Sequence, residues 1–171
     1  MVNEALNVLR GESFEVELIK LCEMKVAPCE ACTACGELKN CKIEDDFRGI
    51  FEKMEAADGI IVGSPVYYGS ATPQTMSLLD RAGFVALRRG RSLNRKAGAA
   101  IAVARRAGAN FTFAQLNYFF YINGMIVPGS DSWNVAYGWG PEDVKKDVEG
   151  LQTVRIMASN MAWLLEKLHG R

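Results

Sequence analysis

The chain has 171 residues, of which 49% are hydrophobic and 23% charged, a composition typical of one globular domain with a sizeable core. Its 20 Lys and Arg residues equal its 20 Asp and Glu residues, so the charge offers no electrostatic basis for binding nucleic acid or an anionic membrane. No apolar run approaches the length of a membrane span, and the first residues lack the blocks of a signal peptide. We therefore expect a cytoplasmic protein, in which the cysteines stay reduced.

Turn signals divide the chain into alternating helices and strands. In chain order the first predicted elements are a helix closed by Gly11, a half-buried strand at 14–18, a helix capped by Asp45 and Asp46, a buried strand at 59–63 and a helix capped by Thr72 with Pro73 in its first turn. They are followed by a buried strand at 99–104, a helix from Phe113 to near Gly124, a strand at 125–127 and a long helix over 151–168. Such alternation predicts one α/β domain over residues 1–171, with a parallel sheet covered by helices on both faces.

The first candidate site follows the strand at 59–63. Ligands of parallel sheets bind beyond the carboxyl ends of the strands, which is where this loop lies. Its residues are Ser64, Pro65, Val66, Tyr67, Tyr68, Gly69 and Ser70. A proline fixes the backbone there, a glycine allows close approach, and two tyrosines offer flat faces with polar tips to a planar heteroaromatic ring. The alternative is a turn with two packing tyrosines.

The second candidate site is a cysteine block, in which Cys29, Cys32, Cys35 and Cys41 have the spacing C-x2-C-x2-C-x5-C. Bacterial ferredoxins hold 4Fe–4S clusters with a C-x2-C-x2-C-x3-C run. Three alternatives remain open, namely structural zinc, a C-x-x-C redox pair and an empty loop. Structural zinc usually uses two separated cysteine pairs and not three cysteines in series. Cys22 stands apart and is interpreted as a small buried hydrophobe.

A family resemblance accompanies these motifs. The stretch from Ala57 to Ser70, followed by Leu79-Asp80-Arg81, resembles the NAD(P)H-dependent FMN reductase branch of the flavodoxin-like superfamily. The cysteine segment at 29–41 resembles the iron-sulfur flavoproteins of that branch, and the likeness extends over nearly the whole chain, including the segment 135–137. The resemblance implies a flavodoxin-like three-layer sandwich. It also implies a central strand and a Ser/Gly-rich phosphate loop ahead of Met1, which this chain does not contain.

The resemblance further implies roles for both loops. Ser64 to Ser70 would line the isoalloxazine ring of FMN, largely through backbone groups. Arg106 and Gly108 match a family loop on the other side of the flavin, although a solvated basic turn is an alternative. The four cysteines would hold a 4Fe–4S cluster.

These expectations lead to a function. The chain is expected to be an FMN-dependent oxidoreductase that passes electrons between NAD(P)H or an electron carrier, FMN and the cluster. No side-chain catalytic device is evident, because the single histidine, His169, lies beside the C-terminus and is expected to be solvated. The family implies a homo-oligomer, and the aromatic segment with Trp133, Tyr137 and Trp139 is expected to fold over the flavin, to contact a neighbouring subunit or to pack against its own chain. The alternative function is a non-catalytic metal-binding or interaction module on a degenerate flavodoxin scaffold.

Overall fold

The computed structural model describes residues 1–140 and 142–170. The helices of this part are α1 (Val2–Gly11), α2 (Cys35–Leu38), α3 (Phe47–Ala56), α4 (Pro73–Arg88), α5 (Ala109–Ile122) and α6 (Val148–His169). The strands are β1 (Gly59–Pro65), β2 (Ala97–Ala104) and β3 (Val135–Tyr137), and short 3-10 turns cover Leu21–Glu23 and Asp143–Lys146. No helix in the described ranges is both long and apolar enough to cross a lipid bilayer.

The three strands form one parallel sheet in the order β1-β2-β3, which confirms the predicted parallel α/β arrangement. Gly59 pairs with Ala97 at the start of β1, and Ala102 pairs with Val135 at the start of β3. Because all three strands run the same way, their carboxyl ends share one edge, so the loops after Pro65 and Ala104 emerge side by side.

Helices cover both faces of the sheet in three layers. On one face, α3, α4 and α5 bury a cluster that includes Phe51, Leu79 and Phe120. On the other, α1 and α6 bury a second cluster around Leu6 and Met157. Each of these clusters is a contiguous apolar core, and together they sandwich the sheet.

Small residues in the strands let the helices approach closely. A Cβ atom at Gly98 would lie 2.6 Å from the ring of Phe120 on α5, and one at Gly59 would lie 2.5 Å from Met161 on α6. Almost every residue of β2 is buried, as expected for a strand covered on both faces.

The prediction of a strand at 14–18 is wrong. These residues are not assigned to a strand, although their side chains alternate as a strand's would. Phe14 and Val16 pack against the α1/α6 core, whereas Ile19 packs against the other core. Alternating residues specify two faces, but a strand also needs a hydrogen-bonding neighbour. Within the described residues, no strand pairs with the edge of β1 opposite β2.

The prediction of a last strand at 125–127 is also wrong. Only Ile126 makes a bridge there, opposite Ala97, with two backbone hydrogen bonds that link it to Lys96 and Gly98 at 2.9 Å each. Residues 127–130 have no regular structure, and the strand at this edge of the sheet is β3, at 135–137. A short apolar run in a sequence indicates that the segment is buried, but it does not show whether the segment hydrogen-bonds to a neighbouring strand.

Local signals at the helix starts had mixed outcomes. Thr72 caps α4 as predicted, since its Oγ1 accepts a hydrogen bond of 3.3 Å from the amide of Thr75. Asp46 precedes α3 but its side chain makes no cap bond; it accepts instead from the amide of Lys25 at 2.6 Å. Cys22 is exposed on a 3-10 turn, so its interpretation as a buried hydrophobe is wrong.

Candidate functional site

The tyrosine loop forms a tight turn at the carboxyl end of β1. Tyr67 and Ser70 exchange backbone hydrogen bonds of 2.8 and 3.1 Å, and the two residues between them have positive φ angles, 51° at Tyr68 and 82° at Gly69. Two consecutive positive φ angles are the pattern of a type I′ turn. Glycine adopts this conformation freely, but a bulky residue such as Tyr68 is strained by it, and such strain concentrates at functional sites.

The base of this turn is held by polar contacts. Ser64 is buried, and its Oγ accepts from the amide of Thr72 at 3.0 Å and donates to the carbonyl of Pro65 at 2.9 Å. From α5, Gln115 Oε1 accepts from the amide of Ala71 at 2.9 Å and from Ser70 Oγ at 3.0 Å. Sequence reasoning missed Gln115, because its partners lie 44 and 45 residues away and no local pattern marks it.

The loop before α5 packs directly on this turn. Gly108 has φ 84°, and a Cβ atom there would lie 3.0 Å from Val66 Cγ1 and 3.1 Å from Gly69 Cα. The structure therefore brings Gly108 against Val66 and Gly69, two of the residues with which sequence analysis associated it. Arg106 is exposed, whereas Arg105 lies over the ring of Trp139 with its Cζ 3.4 Å from the ring centroid.

Two of the tail aromatics also contact their own chain. Trp133 meets Phe113 of α5 with ring centroids 6.3 Å apart, and Trp139 lies under Arg105. Both tryptophans nevertheless leave most of their surface exposed. Packing against the chain itself is thus one role of this segment.

The four cysteines line a single cavity of about 110 Å³, even though Cys35 begins α2 and Cys41 follows the end of this helix. Ile43, Arg81, Phe84 and Val85 are among the residues that complete its walls. Four thiols around one space are a ligand set for a metal centre shared among them, and the largely apolar walls limit its contact with solvent.

The cysteine loop also has a strained backbone. Ala31, Thr33 and Lys39 have φ angles of 51°, 60° and 53°, which residues other than glycine adopt uncommonly. Thr33 in the left-handed region is followed by Ala34 in the right-handed helical region. Consecutive residues of opposite hand form concave backbone nests, which occur in many iron-sulfur sites.

The arrangement of the four cysteines favours one kind of metal centre over another. In residues 1–140 and 142–170, no three His, Cys, Asp or Glu side chains converge closely enough for one metal ion. In a 4Fe–4S cluster each thiolate binds its own iron, so the sulfurs surround a larger centre. Four cysteines around one cavity therefore suit a cluster better than a structural zinc ion, which needs four ligands on a single atom.

A buried ion pair lies behind the cysteine cavity. Arg81 is 1% exposed, and its Nη1 and Nη2 donate to the two carboxylate oxygens of Asp45 at 2.6 and 2.9 Å. Burial alone would raise the pKa of Asp45, but the hydrogen bonds from Arg81 and from the amides of Ala27 and Phe47 outweigh burial and hold this pKa below its ordinary value. The interpretation of Asp45 as simply a helix cap is therefore incomplete.

A basic depression of about 820 Å³ lies beside this cavity and shares Cys41 with it. We call it the basic depression; its charged lining residues are Lys39, Lys42, Glu44, Arg48, Arg88 and Arg89. Two of its five cations are paired, Lys42 with Glu30 at 3.1 Å and Arg89 with Glu55. The remaining cations give the surface a positive potential next to the cysteines.

The two candidate sites lie at different levels of α4. Thr72, at the start of this helix, contacts the tyrosine loop, whereas Phe84 lines the cysteine cavity. At a rise of 1.5 Å per residue, these positions are about 18 Å apart along the helix axis. The tyrosine loop therefore contacts the N-terminal end of α4, and the cysteine cavity contacts its C-terminal half.

Comparison with known proteins gives consistent matches. The family model described as NADPH-dependent FMN reductase matches residues 1–140. An iron-sulfur flavoprotein of Methanocaldococcus jannaschii is 40% identical over 169 residues, covering 95% of this chain and 86% of that protein. One of Methanosarcina thermophila is 39% identical, covering 97% and 86%.

Solved structures resemble the fold at low sequence identity. RosB matches with a TM-score of 0.74 at 17% identity, covering 99% of this chain and 72% of that one. A flavodoxin from the domain Archaea matches with a TM-score of 0.62 at 15% identity, covering 96% and 87%. These likenesses confirm the flavodoxin-like α/β fold expected from the sequence.

Proposed function

The chain belongs to the NADPH-dependent FMN reductase family, and within it to the iron-sulfur flavoprotein branch, so it is an FMN-dependent flavoprotein oxidoreductase. We propose that it passes electrons between NAD(P)H or a reduced carrier, FMN and a 4Fe–4S cluster. The observation that carries the proposal is the convergence of four cysteines on one cavity, in a chain whose tyrosine and glycine loops meet at the sheet edge. Bound FMN would supply the redox chemistry, since a flavin can accept electrons in pairs and release them singly.

We propose that the two loops hold the flavin. Ser64 to Ser70 would line the ring, and Arg106 and Gly108 would border its other side. Support comes from the contact of Gly108 with Val66 and Gly69 and from the position of both loops beyond parallel strands. Main-chain groups held by Gln115 and Ser64 would orient the ring without a catalytic side chain.

We propose the basic depression as the contact surface for a protein electron donor or acceptor. A positive surface beside Cys41 favours an acidic carrier and speeds its encounter. Such a carrier would exchange electrons through the cysteine cavity, and NAD(P)H would react at the flavin. We propose a cytoplasmic location, because a cluster on these cysteines would need thiols that stay reduced.

The function is tested by the cofactor content of the purified protein. Anaerobically purified protein should show the two visible maxima of flavin together with a broad brown shoulder, and addition of NADH, NADPH or a chemically reduced ferredoxin should bleach the flavin. Colourless protein after anaerobic reconstitution would instead support the non-catalytic module. Stoichiometric zinc without iron would refute the cluster and leave the flavin proposal standing.

Replacement of Tyr67 with alanine is expected to weaken FMN binding by about 1–3 kcal/mol, by analogy with aromatic stacking on planar bases. Tyr67 precedes the strained turn and is about half exposed, so its ring is available to a ligand. Fluorescence titration with FMN measures the effect. The control is Trp163→Ala, which removes an exposed aromatic from α6; equal affinities for wild type and both variants would remove Tyr67 from the site.

Replacement of Gly108 with alanine is expected to weaken FMN binding and to destabilise the fold by about 1–2 kcal/mol, the cost of a left-handed residue with a Cβ. The added methyl would also press on Val66 and Gly69 and shift the tyrosine turn. Gly90→Ala is the matched control, because Gly90 has φ 73° and nothing within 4 Å of the added Cβ. Both variants should lose stability in thermal unfolding, and only Gly108→Ala should lose flavin affinity; an equal loss of affinity would contradict contact between the loops.

We also propose a homo-oligomer, with α5 in the subunit contact. Phe111, Tyr118 and Ile122 are exposed and follow one another at helical spacing on this helix. Contact between copies there offers a route to bring a flavin and a cysteine site closer than they lie in one chain. Ile122→Glu is expected to lower the mass measured by light scattering, whereas Trp163→Glu on the opposite layer should not. A monomeric wild-type protein would refute this proposal.

A further inference from the structure

One donor of a buried guanidinium is left over. Arg81 donates through Nη1 and Nη2 to Asp45, through Nη1 to the carbonyl of Ala27 at 3.0 Å and through Nη2 to that of Ile43 at 3.4 Å. Its face also lies 4.2 Å from the ring centroid of Phe47. Its Nε is buried and has no hydrogen-bond partner. An unsatisfied donor on a buried cation is costly, so it calls for a physical explanation.

The partners of Arg81 bracket the cysteine loop. Ala27 lies two residues before Cys29, and Ile43 lies two residues after Cys41. Arg81 donates to the carbonyls of both residues and also to Asp45, which follows Ile43 by two residues, so it links the start of the loop to its end. A fixed base of this kind reduces the conformational freedom of the residues between, which lowers the entropy cost of ordering the four thiols around a cofactor.

Arg81 also faces the cavity itself. It lines the same space as the four cysteines, and its guanidinium is close enough to the Cys41 thiol to interact with it. Burial alone would lower the pKa of Arg81, but contacts with Asp45 and Cys41 raise it, so the group is a permanent cation. A cation is thus fixed against the cysteine that is most distant in sequence from the other three.

We propose that Arg81 is a positioning residue that closes the base of the cysteine loop and donates its free Nε–H to sulfur at Cys41, stabilising the reduced centre. This inference rests on the 4Fe–4S cluster of the proposed function. A cluster in this cavity would gain one negative charge on one-electron reduction. A hydrogen-bond donor to its sulfur ligand would stabilise that charge, because the site is partly shielded from water. The donor therefore raises the reduction potential.

Arg81→Lys tests the donor while it keeps a positive charge beside Asp45. After anaerobic reconstitution, the ratio of reduced to oxidised cluster at a fixed potential is expected to fall about tenfold, which is about 59 mV for a one-electron couple. Redox titration monitored by electron paramagnetic resonance measures the potential independently of turnover. Arg155→Lys is the matched control, because Arg155 is exposed on α6, pairs with Glu4 and lines neither the cavity nor the basic depression, so the cluster potential of this variant should equal that of the wild type.

The outcomes separate this inference from the proposed function. A loaded Arg81→Lys protein with the wild-type potential would overturn the role of Arg81 and leave the cluster intact. A wild-type protein that takes up no iron would refute the cluster, and this role with it. If Arg81→Lys does not unfold cooperatively, the double variant Asp45→Asn/Arg81→Gln removes both charges together; a wild-type potential in that protein would overturn the inference, and a lowered one would support it.

Discussion

Replacement of Asp45 with alanine is expected to lower the free energy of unfolding by about 3–5 kcal/mol, the cost of leaving one partner of a buried ion pair alone. Both carboxylate oxygens bind the guanidinium of Arg81, and the side chains are 9% and 1% exposed. Without Asp45 the guanidinium would keep two carbonyl contacts and no counter-charge. Urea unfolding of the metal-free protein measures the change.

Two controls make this prediction specific. Glu142→Ala breaks the pair of Glu142 with Lys145, whose side chains are about 70% exposed, and should change stability by less than about 1 kcal/mol. Asp45→Leu/Arg81→Met removes both buried charges and should recover much of the loss, because no charge is left unpaired. A loss of less than about 1 kcal/mol in Asp45→Ala would show that the pair does not support the fold.

The same pair predicts an acid sensitivity. The pKa of Asp45 lies below its ordinary value in the folded protein, so the folded state binds fewer protons at this group than the unfolded state does. The stability that this group contributes is therefore complete above the unfolded pKa of about 3.9 and is lost as the pH falls through the lower folded pKa. Asp45→Ala should lack this component of the acid transition.

Replacement of Cys32 with serine is expected to abolish most of the iron uptake. Wild-type protein reconstituted under anaerobic conditions should hold about four irons and four sulfides per chain, as a set of four cysteine ligands implies. Cys32 lies in the middle of the run and lines the same cavity as the other three cysteines. Colorimetric iron and sulfide assays on matched samples measure the loss.

The chain supplies its own control for this experiment. Cys22 is exposed on a 3-10 turn and does not line the cavity, so Cys22→Ser should retain the wild-type iron content. Cys41→Ser tests the five-residue gap that departs from ferredoxin spacing; the convergence of Cys41 on the cavity predicts a loss similar to that of Cys32→Ser. Unchanged iron in Cys32→Ser would exclude this residue as a ligand.

Much of the fold could be predicted because its signals are local. The cap at Thr72, the apolar runs of β1 and β2 and the spacing along α6 record propensity and burial within one element. The four cysteines carry their chemistry in their spacing, so they could be named as one group before their positions in space were known.

The sequence by itself determined the α/β class, the order of most elements and the residue types of both candidate sites. Only the tertiary structure decided which segments pair. Residues 14–18 alternate as a strand would and residues 125–127 form a short apolar run, but neither segment has a full hydrogen-bonding neighbour. It also decided the partners of the polar groups. Arg81 meets Asp45 across 36 residues, and Gln115 meets Ala71 across 44. Contacts of that separation leave no periodic trace in a sequence, since each depends on how whole helices pack against the sheet.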